Sequence, residues 1–135
     1  MIKAPRRFLK NQDGTATVEA VIWLPIFFVV LFLMVDAAMM FSGQSQALRV
    51  VQDANRNMSI GRFRTSAETE AYIEQQLARY SAEVNAVSTV TAGIVTSTVS
   101  FPARDLQLSG FFTVFGDLML SVSADHLIED WEATT

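Results

Sequence analysis

The sequence predicts an α+β protein with a long N-terminal helix, a second short helix and a small antiparallel β-sheet. Three observations carry this prediction. An uncharged apolar run extends from Ala20 to Val35, a helical stripe of apolar residues follows it, and after about Glu83 the β-branched residues recur at every second position. A chain of 135 residues with one membrane segment has room for only one small domain beyond it.

The apolar run predicts a transmembrane helix over residues 15–41, after a leader at residues 1–14. The 16 uncharged residues from Ala20 to Val35 span about 24 Å as a helix, less than the roughly 30 Å of hydrocarbon in a bilayer. Glu19 and Asp36 are therefore expected at a membrane interface or partly within the membrane, and an intramembrane acid indicates a functional site. Pro25 has no amide hydrogen, so we expect it to kink or locally open the helix.

The same helix is expected to leave the membrane as an amphipathic extension over residues 42–61. Its apolar residues recur at intervals of three and four, at Ala47, Val51, Ala54 and Met58. Gly61 is suited to end the helix. The stripe must be covered by the chain's own sheet or by a helix of a partner subunit. The small residues at positions 47 and 54 permit close approach and favour the partner helix.

Residues 62–135 are expected to form a small α+β domain. Thr65-Ser-Ala-Glu68 is a capping box that predicts a second helix. Two strands are expected on either side of a tight turn at Ala92-Gly93, the second ending at Pro102, and residues 118–124 are expected to pair with that second strand. The aromatic patch at residues 111–115 is expected to close the core, with a subunit contact as the alternative.

Charge is divided unevenly along the chain. Residues 1–14 carry four basic side chains against one acidic, whereas residues 42–135 carry six basic against eleven acidic. Because basic flanks stay in the cytoplasm, the N-terminus is expected there and the C-terminal domain outside. The acidic balance of that domain argues against nucleic acid as a partner.

Few residues of this chain are suited to catalysis or metal binding. His126 is the only histidine and there is no cysteine, so one chain lacks the ligands for an ordinary metal site. No glycine-rich phosphate loop and no nucleophile elbow is present. We therefore expect no enzyme activity, no cofactor and no small-molecule substrate.

A basic leader, then Gly14, then Glu19 at the start of a long apolar helix resembles the processing site of type IV prepilins. In those proteins a membrane aspartyl peptidase cuts after the glycine, which implies a cut between Gly14 and Thr15 here. The alternative is structural: Asp13-Gly14 forms a turn, Thr15 caps the helix, and Glu19 is a first-turn acid favoured by the helix dipole.

The segment that follows resembles the TadE/TadG-like family of Tad (tight adherence) pilus assembly proteins. The resemblance is carried by Glu19, by Leu24-Pro25 within the helix, by the second acid Asp36, and by the Ala- and Arg-rich continuation over residues 45–56. Ala20 stands where the family usually has Phe or Tyr. The resemblance implies a pilin-like component of a bacterial inner membrane, with a single membrane pass. It also implies three partners: a prepilin-type peptidase, other pilin-like subunits and the Tad apparatus.

Two other hypotheses remain open from the residues. The apolar run is compatible with an ordinary signal peptide cut near Val35-Asp36-Ala37, which would release a secreted binding module. It is also compatible with an unprocessed signal anchor that holds a periplasmic module. The first residue of the mature protein distinguishes the three hypotheses: Thr15, Ala38 or Met1.

Overall fold

A computed structural model describes residues 13–106 and 118–129 and confirms the predicted α+β class. The chain forms two compact units, Met1–Met34 and Val35–Thr135. The division lies upstream of residue 41, the predicted end of the transmembrane segment. Three predicted features lie outside the described residues. They are most of the leader, the aromatic patch at residues 111–115 and the end of the acidic tail.

Helix α1 extends over Asp13–Ser59 and ends where the sequence predicts. Gly61 has a φ of +74°, the left-handed conformation that glycine adopts without strain. Its amide donates to the Met58 carbonyl at 3.0 Å, and the Arg62 amide donates to the Asn57 carbonyl at 2.9 Å. These two bonds form a Schellman motif, which satisfies the last carbonyls of the helix.

Helix α2 extends over Ser66–Leu77 and begins with the predicted cap. The Thr65 hydroxyl accepts a hydrogen bond from the Glu68 amide at 3.3 Å. The Glu68 carboxylate in turn accepts from the Arg64 amide at 2.7 Å, so the side chain at the third helical position satisfies an amide ahead of the helix. Ile73 and Leu77 are buried on the inner face of α2.

Three antiparallel strands form one sheet in the order β1-β2-β3: β1 is Asn85–Thr91, β2 is Ile94–Pro102 and β3 is Met119–Leu127. Ala92 and Gly93 connect β1 to β2 with φ values of +53° and +78°, as a two-residue type I′ hairpin requires. β3 continues to Leu127, three residues beyond the predicted end at 124. The reason is register: Leu127 pairs with Ile94, so β3 follows β2 back to its first residue.

The sheet buries one face and exposes the other. Residues facing the helices include Ala86, Val95, Ser97, Val99 and Phe101, which are all buried. Serine and threonine dominate the opposite face, where the Thr98 and Ser123 hydroxyls hydrogen-bond at 3.0 Å. This alternation places the core between the sheet and the helices.

Helix α2 also covers the outer edge of β1. The amide of Ser88 donates to the Glu70 carboxylate at 2.7 Å, and the amide of Ala86 donates to the Glu74 carboxylate at 3.3 Å. Both amides point away from β2, where an edge strand would otherwise offer them to another chain. Two helical carboxylates therefore close this edge.

Candidate functional site: an apolar helix and its buried face

The first unit presents apolar side chains on every side of α1. Val21, Ile22, Trp23 and Leu24 are each 57–65% exposed, and four consecutive positions at 100° per residue reach all faces of a helix. The helix is long and apolar enough to cross a membrane by length and composition, with a mean hydropathy of 2.6 in its most apolar window. A helix that is apolar on all sides and uncovered by the described part of its own chain is suited to lipid or to other apolar helices.

The predicted processing site lies at the first turn of this helix. Gly14 and Thr15 already have helical backbone, because α1 begins at Asp13. The alternative in which Thr15 caps the helix is therefore wrong. The Glu19 side chain is exposed on α1. It is available to a neighbouring molecule.

Pro25 lies inside α1, and the helix continues on both sides of it. Its ring blocks the hydrogen bond that an ordinary residue would donate to the carbonyl one turn earlier. The kink at this position stays a prediction.

Asp36 lies in the second unit, where the chain itself covers the side chain completely. Met40, Gly43 and Ala47 follow at intervals of four, three and four residues, and all are buried. Asp36 therefore belongs to the same helical stripe as the predicted packing residues. The stripe begins more than two turns earlier than the apolar pattern indicates, because a carboxylate and a glycine interrupt that pattern.

Gly43 lies where α1 meets the short 3-10 helix at Ala103–Leu106. A Cβ atom at Gly43 would overlap a δ-methyl of Leu106 and lie 3.2 Å from its Cγ. The absence of a side chain at position 43 thus lets Leu106 pack directly against the helix backbone.

The predicted packing stripe is the buried face of α1 within the second unit. Ala47, Val51 and Ala54 are fully buried and Met58 is partly buried. The first three belong to one core cluster with residues of α2 and of all three strands. The expectation that a partner helix covers the stripe is therefore wrong for these residues. Small side chains at the centre of the inner sheet face admit the helix: Ala86, Ser88, Ser97 and Ala124.

A buried polar cluster joins α1 to the sheet at this point. The fully buried Asn55 donates from Nδ2 to the Ala124 carbonyl of β3 at 2.7 Å, and its Oδ1 accepts from the Ser97 hydroxyl of β2. The Ser97 and Ser88 hydroxyls are 2.7 Å apart, which extends the cluster to β1. Asn55 thus bonds to the sheet through both the nitrogen and the oxygen of its side-chain amide. Buried amide groups must be paired, so this cluster fixes the position of the helix on the sheet.

The end of α1 is held by two further contacts. The Ser59 hydroxyl donates to the Leu127 carbonyl at the end of β3, at 2.5 Å. On the other side, the Tyr72 hydroxyl of α2 donates to the Asp53 carboxylate at 2.7 Å. That hydrogen bond raises the pKa of Tyr72 above its ordinary value of 10.0, with burial and the Asp53 charge acting in the same direction. The Tyr72 phenol therefore stays protonated at neutral pH and remains a donor.

Sequence reasoning did not identify Asn55, Ser88 and Ser97. Asn55 follows Ala54 and lies four residues after Val51, so its place on the apolar face is the signal that could have identified it. Ser88 and Ser97 look like solvated strand residues in a Ser- and Thr-rich segment. Their burial depends on register, which pairs them across β1 and β2.

Replacing Asn55 by Ala is expected to destabilise the second unit by about 2–3 kcal/mol, because the Ala124 carbonyl and the Ser97 hydroxyl both lose a partner in the core. Gln52→Ala, three residues earlier on an exposed face, is the matched control and should change stability by less than about 0.5 kcal/mol. Urea unfolding of the full chain in detergent measures both variants. Equal stabilities would show that the polar cluster does not hold the helix on the sheet.

The structure brings no set of potential metal ligands together within the residues it describes. His126 lies near the end of β3 with its side chain exposed. The Glu70 and Glu74 carboxylates accept from backbone amides of β1, and the Ser88 and Ser97 hydroxyls are hydrogen-bonded in the core, so these polar groups have structural roles. The candidate functional feature is thus helix α1 itself. Its first part is an exposed apolar segment, and its second part has one face buried in the second unit.

Comparison with known proteins locates the similarity in this helix. Residues 14–56 match a family model described as TadE-like protein. No curated protein and no solved structure gives a significant match. The matched segment begins at the predicted processing glycine and includes the apolar helix, Asp36 and the buried face as far as Arg56. Over residues 14–56, the chain is thus similar to TadE-like proteins, which confirms the predicted family resemblance.

Proposed function

We propose that this protein is a membrane-anchored, pilin-like component of Tad pilus assembly. The observation that carries the proposal is the TadE-like match over residues 14–56, which includes the segment of α1 that is apolar on all sides. A prepilin-type peptidase, other pilin-like subunits and the Tad apparatus are the proposed partners. The second unit would be held outside the inner membrane.

The proposed mechanism begins with removal of residues 1–14. Cleavage of the Gly14–Thr15 bond gives Thr15 a free α-amino group, close to Glu19 at the start of the apolar helix. In an assembly of parallel helices, Glu19 of one subunit neutralises the amino group of the next. A buried charge is strongly unfavourable without its partner, so this pair specifies the register of neighbouring subunits. The exposed Glu19 side chain supports this role.

The buried face of α1 explains how the helix would carry an exterior module. Asn55 and Ser59 bond the backbone of β3, and the stripe from Asp36 to Ala54 lies in the core of the second unit. The apolar residues of the first unit remain uncovered. The helix can therefore use its first half for contacts between subunits or with lipid while its second half is committed to its own domain.

Glu19→Ala is expected to abolish or strongly reduce piliation while the protein still inserts in the membrane. Loss of the carboxylate removes a desolvation cost and favours insertion, but it leaves the neighbouring amino group without a partner. Glu19→Gln keeps the side-chain size and should fail in the same way. Sheared pili are quantified by immunoblot from strains that carry each variant as their only copy. Normal piliation in both variants would show that Glu19 does not set the register of neighbouring subunits.

Membrane orientation is tested independently of pili. A reporter that is active only in the periplasm, fused after Thr135, is expected to be active because the basic residues of the leader stay in the cytoplasm. A fusion of the same reporter before Met1 is the control and should be inactive. The opposite pattern would contradict the proposed orientation.

A further inference from the structure

An open groove of about 330 Å³ lies in the second unit between α1 and the chain that follows α2. Residues 42–50 of α1 form one wall, and Arg79 with Tyr80 form the other. Arg49 contributes from the helix side, so two guanidinium groups line the same groove.

The groove is positively charged within an acidic domain. No carboxylate lines it in the described part of the chain. The ion pairs among the described residues are those of Arg104 with Glu83 and Asp105, so neither Arg49 nor Arg79 is in an ion pair with a described carboxylate. Two arginines and no carboxylate in the lining give the groove a positive charge within a segment of six basic and eleven acidic side chains. The groove is suited to an anion.

The walls of the groove are held in place by side-chain contacts. The Tyr80 hydroxyl donates to the Gln46 side-chain carbonyl across the groove, and the Arg79 guanidinium lies 5.0 Å from the centre of the Tyr80 ring. A cation over an aromatic face is attracted to it, so Tyr80 orders the arginine beside it. Ser42 adds a hydroxyl group on the helix side, whereas the Ser45 hydroxyl already donates to the Phe41 carbonyl at 2.9 Å. Arginine pairs with phosphate through parallel N–H donors, and a serine hydroxyl can add a further donor.

The position of the groove along α1 favours a membrane phospholipid as the source of the anion. It begins at Ser42, directly after the exposed apolar residues Met39 and Phe41. Arg49 is eight residues beyond Phe41, about 12 Å along the helix, and helical side chains tilt toward the N-terminus, back toward the apolar end. Arginine at the end of a membrane helix extends its charged head into the headgroup region.

We propose that this groove binds the phosphate of an anionic phospholipid headgroup, with Arg49 and Arg79 as the two charged contacts. The proposal rests on the membrane anchoring in the proposed function and adds a lipid preference to it. Bound in this way, a headgroup would fix the depth and rotation of the second unit at the membrane surface.

The test uses the full chain in nanodiscs of phosphatidylcholine with roughly 30% phosphatidylglycerol, and native mass spectrometry of the lipids that stay bound. Wild-type protein is expected to retain phosphatidylglycerol preferentially. Arg49→Gln and Arg79→Gln should each lower the ratio of retained phosphatidylglycerol to phosphatidylcholine about fivefold, the effect expected of one basic residue at an anionic surface. Arg56→Gln and Arg64→Gln remove the same charge at exposed positions outside the groove and should leave the ratio within twofold.

Each alternative has its own outcome. A ratio that does not change in the groove variants, or that falls equally in the controls, overturns the proposal. A second arm titrates inorganic phosphate into the protein in pure phosphatidylcholine nanodiscs. If phosphate binding saturates there at low millimolar concentration and is lost in Arg79→Gln, the groove binds free phosphate. That result would overturn the proposal of a lipid headgroup. Failure of the wild-type chain to enter nanodiscs of either composition would instead contradict the membrane anchoring of the proposed function.

Discussion

Val51→Asp is expected to unfold the second unit. Val51 is fully buried on the α1 face that packs against the sheet, in a core cluster with Ala47, Ala54 and Val99. An aspartate at this position would place a carboxylate among apolar side chains without a cation, at a cost of about 3–5 kcal/mol. Small domains have only about 5–15 kcal/mol of stability, so this loss removes much or all of it.

The matched control for Val51→Asp is Gln52→Asp, which adds the same charge to the same helix on an exposed face. The control is expected to change stability by less than about 0.5 kcal/mol. Limited proteolysis and urea unfolding of the full chain in detergent compare the two. Because the chain's own unit covers Val51, the effect should appear in the isolated subunit, without any partner. Equal protease resistance in the two variants would show that the stripe tolerates a charged side chain and contact with water.

Gly14→Arg is expected to leave the leader attached. A peptidase that cuts after a glycine must bring its catalytic groups close to the backbone, and a bulky cation at that position displaces the bond from them. A displacement of about 1 Å is enough to slow such a reaction about a hundredfold. Gly14→Ala adds a single methyl group and should still be processed, though more slowly. Intact mass of the membrane-bound protein distinguishes the full chain from one that lacks residues 1–14.

The control for Gly14→Arg is co-expression of a known prepilin with the same peptidase. Its processing should be normal, which shows that the enzyme is active. Removal of the leader from the Gly14→Arg protein at the wild-type rate would contradict the proposed cleavage site.

Local signals in the sequence were sufficient for two helix ends and one hairpin turn. The Thr65 capping box, the Gly61 helix end and the Ala92-Gly93 turn each depend on a few adjacent residues, and the structure confirms all three. Such features are set by backbone conformation and by hydrogen bonds within one or two turns. They can be predicted without knowing what the element packs against.

Features that depend on packing between distant segments were harder to predict. The small residues at positions 47 and 54 indicate close approach, but they do not say whether a partner helix or the chain's own sheet approaches. The sheet can do so because its own central residues are small, and this follows only from the pairing of Ser88 with Ser97 and of Ser97 with Ala124.

Polar residues in the core were missed for a related reason. Asp36 and Asn55 lie on the buried face of α1, yet an apolar pattern excludes them by definition. Asn55 is accommodated because its amide finds partners on two strands, at Ala124 and Ser97. Those partners are 69 and 42 residues away in sequence. No local pattern contains that information.

The proposed function makes this protein a processed, pilin-like membrane subunit, and its mature N-terminus tests that proposal most directly. N-terminal sequencing of the protein purified from membranes of the native host is expected to begin at Thr15. A sequence that begins at Met1 would indicate an unprocessed signal anchor, and one that begins at Ala38 would indicate a secreted module released by signal peptidase. Either of these results would contradict the proposed function.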